Sequence, residues 1–227
     1  MTAGFRQIAK DYAATPAEFD VRGLLGGVLS ADWRQALIAR GFGGQVTVGA
    51  ISTGITGGGA GTVLDIEQPE LLLSVASGYT MIPLRLHAEV NIGLQTTDSH
   101  VNEILFGVNR GVAWDGTGTF TSETVFNMRT DMSAPSGITA ASAFTADPTV
   151  VPVVTFDLAR REALTDVQGT AATVLVTTFD LVYEPTNPPF IVGPACILGY
   201  AAGSIAVTAY MQAYVLVIPS SLVTGLS

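Results

Sequence analysis

Apolar and polar residues alternate almost without error in the second half of the stretch Leu71–Leu94. One face would carry Leu84, Leu86, Ala88, Val90 and Ile92, and the other Arg85, His87, Glu89 and Asn91. A period of two is typical of a strand with one face on a core and one face in water. Because proline cannot donate to a ladder, Pro83 predicts a strand start or a bulge. An apolar run precedes the turn Ala76-Ser77-Gly78, so the stretch predicts a pair of strands.

Further apolar or alternating segments, separated by turn residues, continue along the chain. We expect strands at Gln45–Thr53, Thr62–Glu67, His100–Val108, Thr119–Arg129, Val153–Ala159, Ala172–Glu184, Phe190–Ala201 and Ile205–Ile218. Within Thr119–Arg129 the expected apolar anchors are Phe120, Val125 and Phe126, and Arg160-Arg161-Glu162 forms the charged end of its strand. Eight to ten strands without a second helical layer predict an all-β sandwich or barrel.

Two segments carry more specific expectations. Asp131–Pro152 is rich in Ser, Ala, Thr and Pro, which predicts a long surface loop. The last two expected strands meet at Ala202-Gly203-Ser204, which predicts an apolar hairpin that closes the chain.

Residues 1–44 form a predicted arm with a short helix at about residues 31–40. Ser30 is the expected N-cap, Trp33 and Leu37 share a helix face, and Gly41 ends the helix. A helix this short is not stable alone in water, so it must dock on its own sheet or on a neighbouring subunit. The sandwich would then span residues 45–221, with a tail at 222–227.

Charge is scarce and unevenly distributed. Charged residues make up 13% of the chain, about half of the usual share, and the net charge is −9. A surface this poor in charge predicts that other subunits cover much of it. The arm is nearly neutral and Lys10 is the only lysine, so we expect nucleic acid to bind only weakly or indirectly.

Residues 185–227 contain no charged residue and no histidine. A membrane hairpin would explain this, but prolines and glycines divide the segment into pieces shorter than the roughly 20 apolar residues of a spanning helix. We therefore expect no membrane insertion. Cys196 is the only cysteine, so no intrachain disulfide is possible, and the N-terminus shows no signal-peptide pattern. Synthesis in a cytoplasm is expected.

Glycine-rich and histidine-containing segments offer no recognisable ligand motif. Gly54–Gly61 lacks the Lys-Ser/Thr pair of a phosphate-binding loop and continues into a strand-like segment, which favours a flexible turn. His100 lies near Asp98 and Glu103 in sequence, but the spacing matches no zinc or calcium pattern. His87 is expected in a solvated or subunit-facing row. No cofactor or metal ligand is predicted.

Candidate catalytic residues are equally weak. Asp65 and Glu67 could share one strand face as paired carboxylates, but two exposed acids on a strand are more often surface residues. Trp114, beside Asp115 and Gly116, is expected to anchor a turn, with a sugar-stacking role as the alternative. No catalytic residue is predicted, and we expect a protein that is not an enzyme.

The order of parts, together with the segments PELLLSVASGYTMIPLRLHAEV (69–90) and VGPACILGYAAGSIAVTAYMQAYVLVIPSS (192–221), resembles the jelly-roll capsid proteins of small icosahedral viruses and tailless phages. This resemblance implies a single jelly-roll β-sandwich of about eight strands that self-assembles into the shell of a virion, with an arm reaching to neighbouring subunits. Many coat proteins of single-stranded RNA viruses carry a strongly basic arm, which this chain lacks. Other virion proteins are therefore possible partners.

Two other functions stay open. Trimeric binding modules of tumour-necrosis-factor or complement type share the jelly-roll topology, so a phage decoration or host-attachment protein is the first alternative. A carbohydrate-active β-sandwich enzyme is the second, with Asp65, Glu67 and Glu89 as its candidates. The residues expected at subunit interfaces are Trp33, Leu37, Phe190, Tyr200, Tyr210 and Tyr214.

Overall fold

The computed structural model describes residues 33–49, 54–56, 64–92, 100–150, 152–165, 177–203 and 207–223. The chain divides into two compact units, Met1–Ala36 and Leu37–Ser227. Of the first unit only the residues from Trp33 onward are described, and they begin a helix. The predicted division between arm and sandwich at residue 44 stays a prediction.

The described residues form thirteen strands and one helix, followed by a 3-10 turn at Ser220–Leu222. The helix is α1 (Trp33–Ala39), and the strands are β1 (Gly43–Val48), β2 (Ile55–Thr56), β3 (Leu71–Val75), β4 (Tyr79–Ile92), β5 (His100–Arg110), β6 (Thr119–Glu123), β7 (Phe126–Asn127), β8 (Ile138–Ala146), β9 (Phe156–Thr165), β10 (Thr177–Tyr183), β11 (Ile191–Val192), β12 (Ala195–Gly203) and β13 (Val207–Pro219). The all-β class is thereby confirmed.

The strands form two antiparallel sheets. Sheet I has the order β10-β4-β13-β1-β7, with β11 also paired to β4 and β2 to β13. Sheet II has the order β6-β8-β3-β12-β5-β9. The sheets stack face to face. The edge strands β9 and β10 are in contact on one side of the stack, and β1 and β6 are in contact on the other.

The main core lies between the sheets and is built by alternating positions. On β13 the residues Val207, Ala209, Met211, Ala213 and Val215 are buried, while the residues between them are half-exposed. The sequence itself predicts this pattern, because these apolar residues alternate there with Thr208, Tyr210, Gln212 and Tyr214. On β3 all five residues are buried, because the strand has a core on both faces: Leu71 and Leu73 join the main core, and Leu72 joins a second cluster outside sheet II.

The predicted pairing of consecutive apolar runs is wrong in two places. The strands β3 and β4 flank the turn at Ala76-Ser77-Gly78 but lie in different sheets. The strands β12, which includes Ala202 and Gly203, and β13 also lie in different sheets. In each case the connection carries the chain from one sheet to the other instead of closing a hairpin. Alternation cannot tell these arrangements apart, because two strands facing each other across a core have the same pattern as two strands side by side.

The insertion, residues 111–155 between β5 and β9, contains a strand where a loop is expected. Within the predicted loop Asp131–Pro152, Ile138–Ala146 forms β8, which pairs with both β3 and β6. Its residues Ala140, Ala141 and Ser142 are buried. Small side chains allow this close packing but give little strand signal in a sequence. The insertion also places β7 beside β1, so it extends both sheets on the same side.

A bulge in β4 moves one side chain to the opposite face. The register with β13 shifts between Tyr214, which pairs with Arg85, and Val215, which pairs with Pro83. Leu84 therefore leaves the predicted inner row and packs in a cluster on the outside of sheet I, and the bulge predicted from Pro83 is confirmed. Leu37 and Ile38 of α1 pack on the same cluster, so this part of the helix docks on its own sheet.

Candidate interaction surface

Beyond the cluster under α1, the outside of sheet I carries a regular grid of half-exposed and exposed side chains, here called the open face. Cross-strand register places its residues in three rows: Phe126, Gln45, Tyr214 and Arg85; then Thr47, Gln212, His87 and Val182; then Tyr210, Glu89 and Asp180. The residues that alternate with them, such as Leu86 and Ala88, face the main core. The polar row predicted for β4 is confirmed in Arg85, His87 and Glu89.

Aromatic and apolar side chains on the open face remain accessible. Phe126 is 65% exposed and Val182 is 42% exposed, while Tyr210 and Tyr214 are half-buried. Phe126 was expected to be an apolar anchor and is not one, since it ends on the water-facing side of β7. Tyrosine, phenylalanine and arginine are enriched in the buried centres of protein interfaces, which makes this the candidate interaction surface of the chain.

Local contacts hold the middle of the open face. The rings of His87 and Tyr210 meet edge to face, with centroids 6.4 Å apart. Burial raises the pKa of the Tyr210 hydroxyl, as do the neighbouring Tyr214 and Glu89, whereas hydrogen bonds with Thr47 and Gln212 oppose the rise. Tyr210 therefore contacts neighbours on both β4 and β1 within the open face.

Charges on the open face are few and only partly compensated. Arg85 lies 4.0 Å from Glu184, a pair with both side chains largely exposed and therefore of little net worth. The Nε atom of Arg85 is inaccessible to water and has no hydrogen-bond partner among the described residues. Glu89 lies directly opposite Asp180, which places two acids side by side in the sheet.

The edge of sheet II that β9 forms beside β5 also carries charged side chains. Arg160-Arg161-Glu162, expected at the end of a strand, lies inside β9, which continues to Thr165. Arg160 pairs with Glu103 of β5 and with Glu162, and burial raises the pKa of Glu103 while the Arg160 charge opposes the rise. The sequence pattern placed the end of the strand too early, because the charged side chains indicated an end. An edge strand such as β9 can keep charged side chains within its length.

The five predicted interface residues of the second unit do not gather in one place. Tyr210 and Tyr214 lie on the open face, and Phe190, 55% exposed, lies beside β11 on the same sheet. Trp33 is 44% exposed at the start of α1. Sequence reasoning missed Val182, although its alternation with core positions carried the signal, and it placed Arg85 in the polar row of β4 without naming it as an interface residue.

The other two predicted interface residues pack inside the chain. Leu37 lies in the cluster under α1. Tyr200 is 1% exposed, and its hydroxyl donates to the carbonyl of Ile66 at 2.9 Å. Burial raises its pKa, and the carboxylate of Glu70 adds to the rise. An interface role for either residue stays a prediction.

The candidate acids lie on opposite sides of the molecule. Asp65 and Glu67 sit in a turn, where Asp65 accepts a hydrogen bond from the Glu67 amide at 3.0 Å, so the strand expected at Thr62–Glu67 is wrong over its described residues. That turn packs outside sheet II through Tyr200, whereas Glu89 lies outside sheet I. The structure does not bring these three carboxylates together.

Trp114 anchors a turn and an aromatic cluster, as its position predicted. Its ring meets Phe120 at 4.7 Å and Phe144 at 5.8 Å, edge to face in both cases, and its Nε1 donates to the carbonyl of Thr117. Asp115 accepts hydrogen bonds from the amide and hydroxyl of Thr117, which lowers the Asp115 pKa. Trp114 is half-buried, with its ring packed on two other aromatic rings.

Metal-binding candidates receive no support from the described residues. In that part of the chain no three His, Cys, Asp or Glu side chains are placed to hold a metal ion. Asp98, the side chain of His100 and most of Gly54–Gly61 lie outside the described residues.

In comparisons with known proteins, no protein-family model, no curated protein and no solved structure matches the chain significantly. Across the described ranges, no helix is long and apolar enough to cross a membrane.

Proposed function

We propose that the chain is a structural viral capsid protein with a single jelly-roll fold, which self-assembles into an icosahedral shell. The observation that carries the proposal is the strand order. Setting aside β2, β11 and the insertion strands β6, β7 and β8 leaves eight strands. Numbered along the chain, they lie in the orders 6-3-8-1 in sheet I and 2-7-4-5 in sheet II. This order supports a jelly roll, the fold of many viral capsid proteins, because a jelly roll of eight strands is expected to have the same order.

The distribution of charge supports assembly. A chain with 13% charged residues and an uncharged C-terminal segment has little with which to cover its own surface. The structure buries most of that segment in β12 and β13, yet leaves the aromatic open face accessible. Copies of the same chain would cover this face in a shell.

In the proposed virion the partners are other copies of the chain and other virion proteins. In the part of the chain that the structure describes, the basic residues occur mainly in ion pairs with acids, as in Arg129 with Asp131 and Arg160 with Glu103. Such pairs leave little charge for phosphates, so genome contact would be weak or would pass through another protein.

The size of the purified, untagged full chain tests the proposal. Light scattering and negative-stain microscopy should show closed particles of uniform diameter. A monomer at tens of micromolar would overturn the proposal.

A trimeric jelly-roll binding module is the second candidate, such as a decoration or host-attachment protein. The half-buried Tyr210 and Tyr214, on the water-facing side of sheet I, favour it because aromatic side chains at such positions suit a compact oligomer. The same size measurement separates the two functions: a stable trimer that does not grow supports the module and excludes the shell.

A further inference from the structure

The open face is self-complementary about its middle row. On β4, Arg85 and Glu89 lie two residues on either side of His87; on β13, Tyr214 and Tyr210 lie two residues on either side of Gln212. A two-fold axis along the middle row, perpendicular to the strands, places the first row of one copy over the third row of the other. Arg85 then faces the partner's Glu89, and Tyr214 faces the partner's Tyr210.

We propose that the open face is a two-fold interface between two copies of this chain. The inference rests on the proposed function, since it names the surface through which self-assembly begins. Sheets that stack face to face lie about 10 Å apart, a gap that tyrosine and arginine side chains can fill. A symmetric dimer uses the same surface on both partners, as this pattern requires.

Charge complementarity selects a second copy as the occupant. Glu89 faces Asp180 within its own sheet, so it lies in an acidic neighbourhood. The Arg85 side chain is 44% exposed, and its own acidic partner, Glu184, lies 4.0 Å away. The two-fold arrangement brings the accessible part of this guanidinium to the partner's Glu89, so the acid in the acidic neighbourhood gains a basic partner. Asp180 keeps its own partner, Arg161.

Two charge reversals test the interface, each in the full chain. In Arg85→Glu two acids face each other at both symmetric contacts, and in Glu89→Arg two bases do. Each variant alone should sediment at a lower average mass than the wild type. An equimolar mixture restores opposite charges at both contacts, so it should associate again. Arg129→Glu, an exposed reversal on the insertion, is the control that should leave the mass unchanged.

Cross-linking checks the position of the axis independently of charge. His87→Cys places a thiol in the middle row, while the native Cys196 is fully buried. A short bismaleimide should link two His87→Cys chains through residue 87, but should not link Thr121→Cys, an exposed position on β6. Circular dichroism should show the wild-type fold for every variant used.

The outcomes separate this interface from the shell. Dimers that never grow into particles would support the interface and overturn the capsid proposal. Particles that form from Arg85→Glu alone, or folded single variants that do not combine on mixing, would overturn the interface. A wild-type monomer whose Tyr210 and Tyr214 resonances shift on titration with an oligosaccharide would also overturn it, in favour of a sugar-binding face.

Discussion

The guanidinium of Arg161 on β9 lies 2.9 Å from the carboxylate of Asp180 on β10, joining the edge strands of the two sheets. The same guanidinium donates to the Asp180 carbonyl and lies over the ring of Phe179, 4.9 Å from its centroid. Phe179 belongs to the main core. One side chain therefore covers the core where the sandwich is open at its side.

Replacing Arg161 should cost more stability than replacing its acidic partner. An exposed ion pair is worth about 0.2–1 kcal/mol and a cation–π contact about 0.5–1 kcal/mol, so Arg161→Ala should lower the free energy of unfolding by about 1 kcal/mol. Asp180→Asn removes only the ion pair and should cost less than about 0.5 kcal/mol. Urea unfolding measures both, and equal losses would contradict the role given to the Phe179 contact.

Glu70 is a buried carboxylate with a structural task. It accepts a hydrogen bond from the Ala201 amide of β12 at 2.8 Å. Glu70→Ala leaves that buried amide without this acceptor, which should cost about 1–3 kcal/mol of unfolding free energy. Glu70→Gln keeps an acceptor and should cost less. Guanidinium unfolding of the two variants tests this, and a larger loss for Gln than for Ala would refute it.

Gly137 needs both its backbone conformation and its missing side chain. Its φ is +79°, and a Cβ at this position would lie 2.4 Å from the ring of Tyr79. Gly137→Ala should therefore cost about 2–4 kcal/mol, from backbone strain plus overpacking. Gly111 is the matched control: its φ is +84° but a Cβ there meets nothing within 4 Å.

For Gly111→Ala only the strain remains, about 1–2 kcal/mol. The free energies of unfolding from urea titrations, together with the melting temperatures, should separate the two variants. Equal losses at both glycines would show that the Tyr79 ring moves aside without cost.

Glu67 makes stability depend on pH in a predictable direction. The nearby Asp147 carboxylate raises the pKa of Glu67 above its ordinary value of 4.5, and Asp65 adds to the rise. A raised pKa means that the folded state binds the proton more tightly than the unfolded state. The stabilising contribution is therefore present below pH 4.5 and is lost as pH rises through the folded pKa.

Glu67→Gln imitates the protonated form and should remove this loss. We expect its melting temperature to exceed that of the wild type near pH 7 and to converge with it near pH 4. Asp147→Asn removes the opposing charge but keeps an acceptor oxygen for the hydrogen bond from Gln68, so it should behave similarly. Parallel curves for wild type and Glu67→Gln across this range would contradict the carboxylate contact.

Alternation along the chain was sufficient to predict the all-β class, the inner faces of β4 and β13 and the polar row of the open face. These are local patterns, and one buried face imposes them on each strand separately. The polar face of β4, with Arg85 and Glu89, was therefore visible in the sequence. The residues that lie beside it on β7 and β10 were not.

Sheet membership could not be read in the same way. Whether β12 and β13 pair or face each other depends on contacts between residues far apart in sequence, and both arrangements bury the same positions. Leu84 shows a second limit, since a single extra residue in the ladder moved it to the other face. In β8 the small residues Ala140 and Ala141 give little strand signal in the sequence. The strand is placed by its pairing with β3, which is distant in sequence.

The insertion makes the edge strands on the two sides of the sandwich unequal in length. On the side of the insertion the sheets end in short strands, β6 with five residues and β7 with two, which offer few backbone groups to a neighbour. The opposite side ends in β9, with ten residues, and β10, with seven. Among the described strands, the longer runs of main-chain groups at a sheet edge therefore lie on one side of the sandwich only, the side that β9 and β10 form.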